Sequence, residues 1–223
     1  MIVDLNLHSK IVLVVGAGKE GIRKVKGLLG QGCEIIVLDK RINAELLYLE
    51  RQKQIKIIRQ KITDLSFIDN IKNLFIVMAA TNDKILNRKI IEKGQRIGAL
   101  VYAADDPSVS DFSYASLTNI QGIMQIAIST YGKSPLMARK LRIRIERILR
   151  NAIKTTDLDN IVLQEYARNL ARDKIRSVKQ RKEMLYFIMK DKKIQDMILA
   201  RQLDAAKEAA KTLINSWEEI VNK

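Results

Sequence analysis

A glycine-rich turn between an apolar run and a helical pattern limits the possible folds of this chain more than any other segment. Residues 11–15 are consecutive aliphatic residues, typical of a strand that is buried on both faces of a parallel sheet. Gly16, Gly18 and Gly21 follow in the pattern G-x-G-x-x-G, and residues 23–29 place apolar side chains at helical spacing. Strand, glycine turn and helix in this order predict a dinucleotide-binding unit.

Each glycine of this turn has its own expected role. We expect Gly16 to permit the tight turn, Gly18 to let the backbone approach a pyrophosphate, and Gly21 to let the helix pack closely on the strand. The phosphates would then bind free N–H groups at the positive end of the helix. The residues predicted to bind the dinucleotide here are Gly16, Gly18, Lys19, Glu20 and Gly21.

A second apolar run, residues 34–38, ends at Asp39. This acid lies close to the position along the chain at which a carboxylate binds the ribose 2′-hydroxyl of NAD, and it would repel the 2′-phosphate of NADP. Lys40 and Arg41 weaken that preference, because NADP sites use neighbouring cations. We predict NAD as the cofactor. The alternative is a glycine turn without a ligand, in which Asp39 is a helix N-cap.

Strand and helix patterns alternate up to Pro107. This alternation predicts an α/β fold with a Rossmann-type parallel sheet and helices on both of its faces, over residues 1–112. The further predicted strands are residues 55–58, 74–80 and 99–104, and the further predicted helices are residues 43–50, 64–68 and 84–93.

The pattern changes after Pro107. An apolar run at residues 123–129 predicts a strand, and Ser134 and Pro135 then begin a helix as its N-cap and first-turn residue. From residue 155 onwards the chain contains neither glycine nor proline, and apolar residues recur at helical spacing. We predict a small α+β dimerisation segment at residues 113–150 and an all-helical C-terminal domain at residues 151–223.

The net charge of +15 is concentrated in the second half of the chain. Residues 1–112 hold 18 Lys and Arg against 13 Asp and Glu, and residues 113–223 hold 22 against 12. Such an excess predicts a nucleic acid, an anionic membrane surface or a polyanionic small molecule as partner. Aromatic residues make up 5% of the chain, which leaves few platforms for stacking single-stranded nucleic acid.

The single cysteine, Cys33, excludes internal disulfides and is typical of the reducing cytoplasm, where we expect the protein. No apolar run approaches the length of a membrane span, and the N-terminus does not resemble a signal peptide. We do not expect a membrane partner. His8 is the only histidine, which excludes a histidine-based metal cluster, and no metal site is predicted.

Three later motifs carry a more specific resemblance. They are Val77–Asp83, then Tyr102–Pro107 with Ser110, Asp111 and Phe112, then Ile126–Pro135 with Ala138, Arg139 and Arg142. In these motifs and their order the chain resembles the precorrin-2 dehydrogenase family, which includes the N-terminal part of siroheme synthase. The resemblance covers about residues 1–150 and, more loosely, the helical tail.

The resemblance implies a function and an assembly. Members of the family oxidise precorrin-2 to sirohydrochlorin with NAD, and some also insert ferrous iron to give siroheme. They are homodimers with a Rossmann domain, a middle segment exchanged between subunits and a C-terminal helical domain. The same organisation here implies a homodimer formed through residues 113–150.

The family's essential acid corresponds to Asp105, the first aspartate of Asp-Asp-Pro. On spacing alone this tripeptide is also a good turn sequence. With the resemblance, Asp105 is predicted to accept the proton released with hydride transfer, and Asp106 to shape the turn. Thr81 and Asn82, which follow the fourth strand, are predicted to bind the cofactor.

A tetrapyrrole with many carboxylates requires cations in its binding site. The predicted cations lie near the helix start at Ser134, whose N–H groups also favour anions. The predicted substrate-binding residues are Ser129, Thr130, Lys133, Ser134, Arg139 and Arg142. The alternative for the arginines is a solvated basic helix face.

Three residues depart from the family pattern. Tyr102 stands where Asn is usual, Ala115 where Pro is usual, and Tyr131 where a second Gly is usual. We expect Tyr102 and Tyr131 either to narrow the tetrapyrrole pocket or to mark a branch with altered activity.

Two other functions compete with the dehydrogenase. One is a non-catalytic NAD-binding regulator that binds nucleic acid through its basic half, and the other is a scaffold for another tetrapyrrole enzyme. Asp105, Ser129 and the segment 133–135 favour the dehydrogenase, and nucleic acid is not the expected partner. Iron insertion is an additional activity of some family members. The sequence shows no cluster of metal ligands that would decide for or against it here.

Overall fold

A computed structural model describes residues 2–217, and the chain divides after Tyr114 into two compact units. The first unit contains a parallel sheet with helices on both faces. The second unit contains, within residues 115–217, an antiparallel hairpin and five helices.

Five parallel strands form the sheet of the first unit, in the spatial order β3-β2-β1-β4-β5. The central strands β1 and β4 are buried almost throughout, because helices cover both faces of the sheet. The strands are Ile11–Val15 (β1), Glu34–Leu38 (β2), Lys56–Ile58 (β3), Leu74–Ala79 (β4) and Leu100–Ala103 (β5).

The register aligns the carboxyl ends of neighbouring strands. Val15 of β1 lies beside Leu38 of β2 and Ala79 of β4, and Ala79 lies beside Ala103 of β5. The loops that follow these strands therefore begin at the same edge of the sheet. The strand order reverses between β1 and β4, which is the point at which open α/β sheets bind their ligands.

Helices pack on both faces because alternate residues of a strand point to opposite faces. Leu13 and Val77 join a core with α3 and α4, whereas Val12 and Ile76 join a core with α1 and α2. This arrangement confirms the predicted Rossmann-type α/β fold. The helices are Lys19–Leu28 (α1), Ala44–Arg51 (α2), Ser66–Asp69 (α3) and Lys84–Arg96 (α4).

Two of these helices are longer than the sequence pattern predicts. The first, α1, begins at Lys19 rather than at residue 23, because Gly18 already serves as its N-cap. The other, α4, begins as predicted, after an N-cap at Asp83, but continues to Arg96 rather than to residue 93. Both extensions consist largely of polar residues and glycine, which carry no apolar periodicity.

An antiparallel hairpin begins the second unit. Its strands are Ser116–Ile120 (β6) and Met124–Ile128 (β7), and the helix Pro135–Ala152 (α5) packs against them. The sequence predicts only β7, so β6 is an addition to the expected segment. The predicted N-cap of α5 is confirmed, since the Ser134 hydroxyl accepts a hydrogen bond from Met137 N at 3.2 Å.

The remaining helices of this unit share one apolar core. Alanines on α6 and α9 are fully buried in it, and their small side chains let the two helices approach closely. The helices are Thr155–Lys174 (α6), Val178–Lys190 (α7), Lys192–Leu199 (α8) and Leu203–Asn215 (α9).

The predicted helical domain extends to residue 223, and its last six residues, 218–223, lie outside the described part of the chain. The separation of residues 113–150 from residues 151–223 as two domains stays a prediction. In residues 2–217 no helix combines the length and the apolar composition that crossing a membrane requires.

Candidate active site

The carboxyl edge of the parallel sheet brings the predicted cofactor residues together. A backbone hydrogen bond from Gly16 N to Leu38 O, at 2.9 Å, continues the sheet into the glycine turn. Because the strands end in register, the loops that follow β1, β2, β4 and β5 are neighbours. They carry, in that order, the glycine turn, Asp39, Thr81 with Asn82, and Asp105.

Close backbone contacts require the first and third glycines of the turn. Gly16 has a φ of +111°, and a Cβ atom there would lie 2.4 Å from the carbonyl oxygen of Ala80. A Cβ atom on Gly21 would lie 1.8 Å from the carbonyl oxygen of Gly16. A side chain at either position would therefore push α1 or the loop after β4 away from β1.

Gly18 differs from both, because it is exposed and a Cβ atom on it would meet no atom within 4 Å. It is the N-cap of α1 without a side-chain cap, and the first intrahelical bond runs from Ile22 N to Gly18 O at 3.0 Å. The N–H groups of Lys19, Glu20 and Gly21 precede that bond and have no intrahelical acceptor. Backbone donors beside open space at the positive helix end fit a dinucleotide pyrophosphate.

Asp39 is connected to the glycine turn. One carboxylate oxygen accepts a hydrogen bond from Ala17 N at 2.7 Å, and the other accepts one from Arg41 N at 3.1 Å. The alternative of Asp39 as a helix N-cap is wrong, because the side chain of Asn43 caps α2 by accepting from Leu46 N at 2.9 Å. Each Asp39 oxygen can accept a further bond, as a ribose hydroxyl would donate.

A buried amide joins the loop after β4 to the acid after β5. Asn87, on α4, is 1% exposed. Its Oδ1 accepts hydrogen bonds from Thr81 N at 3.1 Å and from Thr81 Oγ1 at 2.6 Å. Its Nδ2 donates to Thr81 O at 3.1 Å and to Asp105 Oδ1 at 2.9 Å. Asn87 therefore fixes Thr81 and Asp105 relative to each other.

Asp105 itself is exposed at the edge of the sheet. It borders a pocket of about 170 Å³ whose lining also includes Asn87, Lys84 and Arg88 of α4. Within residues 2–217 only one of its two carboxylate oxygens has a hydrogen-bond partner. The other can therefore accept a proton or a hydrogen bond from a bound molecule.

Asp106 has the geometry of a turn residue. Its carboxylate accepts hydrogen bonds from Ser108 N at 2.9 Å and Ser108 Oγ at 2.6 Å, and it caps a 3₁₀ turn at Pro107–Val109. The hydrogen bonds from Ser108 hold the pKa of Asp106 below its usual value. The role in the turn that the sequence predicts for Asp106 agrees with this geometry.

Tyr102, one of the three departures from the family pattern, lies on the α1 side of the sheet. Its hydroxyl accepts a hydrogen bond from Lys24 Nζ at 2.8 Å, and that nitrogen lies 4.0 Å from the Tyr102 ring centre and 3.7 Å from that of Tyr114. Lys24 is 4% exposed, and burial lowers its pKa to about 8. Burial also raises the pKa of Tyr114 to about 12.

The predicted substrate residues of the second unit lie in the turn between β7 and α5 and on α5 itself. The Ser129 hydroxyl accepts from Tyr131 N and the Thr130 hydroxyl accepts from Ser134 N, both at 3.1 Å. Tyr131 has a φ of +52° and is 83% exposed, so it adopts the conformation that a glycine would favour there. Ala115 immediately precedes β6, and nothing in the structure explains its exchange for proline.

The cations of this unit differ in how freely they can bind an anion. Arg142 donates to Glu146 at 2.7 Å, so part of its charge is already neutralised. Lys133 and Arg139 are exposed, and neither has an acidic partner within 4.0 Å among residues 2–217. In the same described part of the chain, no three His, Cys, Asp or Glu side chains lie close enough to hold a metal ion.

Asn87 and Lys24 are not among the residues that the sequence motifs predict. Each occupies an apolar stripe of its helix: Asn87 lies three and four residues before buried Ile90 and Ile91 on α4, and Lys24 lies four residues before buried Leu28 on α1. A polar residue at a position that must be buried requires a specific partner. That requirement is the signal by which both could be found.

Two family models match the chain. The model described as "Putative NAD(P)-binding" matches residues 3–116, and the model described as "Sirohaem biosynthesis protein central" matches residues 121–148. The first match covers the parallel sheet and its glycine turn. The second covers β7 and most of α5. The NAD(P)-binding model supports NAD as the cofactor.

Curated relatives include siroheme synthases. That of Neisseria meningitidis serogroup C (strain 053442) is 30% identical over 177 residues, which are 79% of this chain and 35% of that protein. That of Mannheimia succiniciproducens is 34% identical over 144 residues, which are 65% of this chain and 29% of that protein. The chain thus spans about a third of the length of these relatives.

A solved structure resembles most of the chain. It is SirC, a precorrin-2 dehydrogenase, with a TM-score of 0.67 and 25% sequence identity over 95% of this chain and 99% of that one. These three findings agree with the resemblance that the motifs at residues 77–83, 102–112 and 126–142 carry. They are the matches to two family models, the siroheme synthase relatives and the SirC structure. The chain therefore belongs to the precorrin-2 dehydrogenase and siroheme synthase N-terminal family.

Proposed function

We propose that this protein is an NAD-dependent dehydrogenase that oxidises precorrin-2 to sirohydrochlorin in siroheme biosynthesis. The observation that supports this most directly is an acid, Asp105, held by Asn87 at the same sheet edge as a glycine turn that fits a dinucleotide. The balanced reaction is precorrin-2 plus NAD⁺ to sirohydrochlorin, NADH and a proton.

The cofactor would be bound by the backbone of the glycine turn and by the acid after β2. The N–H groups of Lys19, Glu20 and Gly21 would donate to the pyrophosphate, and Gly18 leaves it space. Asp39 would accept from the ribose hydroxyls. When bound, NAD supplies the acceptor for the hydride. Thr81 and Asn82 would contact its nicotinamide half, because they follow β4 beside the strand-order reversal.

Asp105 would take the proton that leaves with the hydride. A general base must lie within hydrogen-bond reach of the proton that it abstracts. One oxygen of Asp105 is occupied by Asn87, and the other faces no partner within residues 2–217. That second oxygen would accept the proton, while Asp106 keeps its own place as the cap of the following turn.

The substrate's carboxylates would be bound by the exposed cations near the start of α5. Lys133 and Arg139 are the better candidates, because Glu146 already engages Arg142. The hydroxyls of Ser129, Thr130 and Ser134 shape the turn that presents these cations.

We also propose that the protein is a homodimer formed through residues 113–150. Exposed apolar side chains on this segment support that assembly, among them Leu117 on β6 and Leu136 on α5. The cytoplasmic location predicted from the sequence, and the absence of a nucleic-acid or membrane partner, stay predictions.

The direct test mixes the protein with precorrin-2 and NAD and follows the absorption spectrum of sirohydrochlorin. Asp105→Asn should slow the conversion by about 10²–10⁴-fold, the usual cost of removing a positioned general base, and should leave NAD affinity unchanged. Asn keeps the size of Asp105 and its place in the turn but cannot accept a proton. A parallel sample with ferrous iron, followed by the siroheme spectrum, tests iron insertion.

Asp106→Asn is the matched control, because Asn can still cap the 3₁₀ turn. It should retain most of the activity. Equal losses in both variants would assign both acids a structural role. Undiminished conversion by Asp105→Asn would exclude this residue as the base.

A further inference from the structure

We propose that Asn87 is a positioning residue for the dehydrogenation: it fixes the carboxylate of Asp105 against the Thr81 loop so that one oxygen faces the substrate. This role rests on the proposed function, since it assumes that Asp105 is the base. Asn87 reaches neither cofactor nor substrate in this role. It acts through the two residues that it binds.

The hydrogen bonds of Asn87 leave its amide only one orientation. Two donors, the backbone N and the hydroxyl of Thr81, point at Oδ1, which must therefore be the carbonyl oxygen. The opposite side of the amide meets two acceptors, Thr81 O and Asp105 Oδ1, so it must be the NH₂ group. A single side chain thus uses two acceptor and two donor positions, and none is left unpaired.

Burial makes this arrangement rigid. Asn87 is 1% exposed, so water does not compete for its four hydrogen bonds. Asp105 is exposed and would otherwise sample several rotamers at the edge of the sheet. The bond from Asn87 engages one carboxylate oxygen of Asp105, which borders the pocket beside α4, and leaves the other oxygen able to accept from a molecule bound there.

The same amide connects the acid to the cofactor loop. Three of the four hydrogen bonds of Asn87 go to Thr81, which follows β4 directly beside Gly16 of the glycine turn. A shift of the Thr81 loop is therefore transmitted to Asp105 through one buried side chain. Base and cofactor would keep their separation, as proton and hydride removal from one substrate require.

No other residue type of similar size can replace this amide. Leucine would leave the backbone N–H of Thr81 and the carboxylate of Asp105 without their partner. Aspartate would still accept from Thr81 N and Oγ1, but it would place a second carboxylate against Asp105 and could not donate to it. Asn87→Asp therefore keeps two of the three contacts to Thr81 and removes the one to the base.

The test compares Asn87→Asp with Gln95→Glu, which makes the same amide-to-carboxylate exchange at an exposed position on the same helix. We expect Asn87→Asp to lower kcat about 10–100-fold, the usual effect of displacing a reacting group slightly. NAD affinity, measured by calorimetry, should change less than about threefold, because the first-turn donors of α1 are untouched. Gln95→Glu should leave both quantities at the wild-type values.

A double-mutant cycle with Asp105→Asn separates positioning from a general structural effect. If Asn87 acts through Asp105, Asn87→Asp should lower kcat no further once Asp105 is already Asn. The double variant should also melt at a higher temperature than Asn87→Asp alone, because only one carboxylate remains at these two positions and the repulsion present in Asn87→Asp is removed. Losses of kcat that multiply, with no recovery in melting temperature, would overturn the role.

The outcomes distinguish this inference from the proposed function. If wild type converts precorrin-2 and Asn87→Asp keeps the full kcat, the positioning role of Asn87 is overturned. The proposed dehydrogenase function would then still stand. A wild-type protein that binds NAD but does not convert precorrin-2 would overturn the proposed function, and the role of Asn87 with it.

Discussion

Among single residues, the three glycines of the first turn differ in what an added side chain would meet. Gly18→Val should fold normally, because the space beside Gly18 is open, but its side chain would occupy the place of the pyrophosphate. Calorimetry should show NAD binding weakened at least about tenfold, or about 1.4 kcal/mol. Gly27→Val, at another open position on α1, is the control and should bind NAD normally. Equal NAD affinity in both variants would contradict binding at this turn.

Lys24 gives the stability of the protein a dependence on pH. The pKa of Lys24 is about 8 in the folded chain, where burial opposes the charge, against 10.5 in the unfolded chain. Below pH 8 both states hold the proton, and the folded state carries the whole cost of the buried charge. Between pH 8 and 10.5 only the unfolded chain holds it, so the stability contributed by this site rises with pH.

Lys24→Met should therefore be more stable than wild type at pH 7, by about 1–3 kcal/mol. The difference should shrink as the pH rises from 8 and should be lost by about 10.5. Urea unfolding at several pH values measures this difference. Lys26→Met, at an exposed lysine on the same helix, should change stability little at any pH. A difference for Lys24→Met that does not vary with pH would show that the buried amine does not titrate as described.

Asn87 and Lys24 also mark the limit of sequence reasoning at this scale. The glycines and Asp39 follow two successive predicted strands. The sequence therefore predicts that they lie close together at the carboxyl edge of the sheet. The partners of Asn87 and Lys24 lie on other elements: Asp105 follows β5, and Tyr102 belongs to it. Pairings across the fold depend on how helices rotate against the sheet, which periodicity does not specify.

Among the elements, strand β6 is the one that sequence patterns fail to predict. It contains Ser116 and Asn119, which are poor strand formers, and only its pairing with β7 makes it a strand. The connecting turn uses Gln121 and Gly122, both with positive φ, where Asn-Gly or Asp-Gly is the usual hairpin signal. The apolar runs of the parallel sheet lack this dependence, so β1, β2 and β4 are predicted almost to the residue.

The hairpin also exposes Leu117, which is 48% accessible. If residues 113–150 form the dimer interface, Leu117→Glu should weaken the dimer, because burying a leucine contributes about 1.5–3 kcal/mol in each protomer. Light scattering over a range of micromolar concentrations should find a dimer for wild type and monomer for the variant. Tyr186→Glu, an equally drastic change on exposed α7, should remain dimeric. Monomeric wild type would contradict the assembly.

On the scale of the whole molecule, the net charge is +15. A substrate with many carboxylates explains this excess of positive charge better than binding of the cofactor alone does. Most of the excess belongs to residues 113–223, which include the exposed cations Lys133 and Arg139. A basic surface of this kind raises the association rate of an anionic molecule at low salt. The same charge would also attract nucleic acid. The salt dependence therefore has to be measured both for precorrin-2 turnover and for DNA binding.

We expect kcat/KM for precorrin-2 to fall at least about tenfold between 50 and 500 mM NaCl, because the Debye length shrinks from well above 10 Å to a few Å. The value of kcat should stay nearly constant, since the bound complex no longer depends on long-range attraction. Arg139→Gln should lower kcat/KM at low salt and flatten its salt dependence, whereas Arg168→Gln, on α6, should leave both at the wild-type values. A kcat/KM independent of salt would contradict electrostatic attraction of the substrate. No conversion of precorrin-2 at any salt concentration, together with tight and steeply salt-dependent binding of duplex DNA, would favour the nucleic-acid regulator over the dehydrogenase.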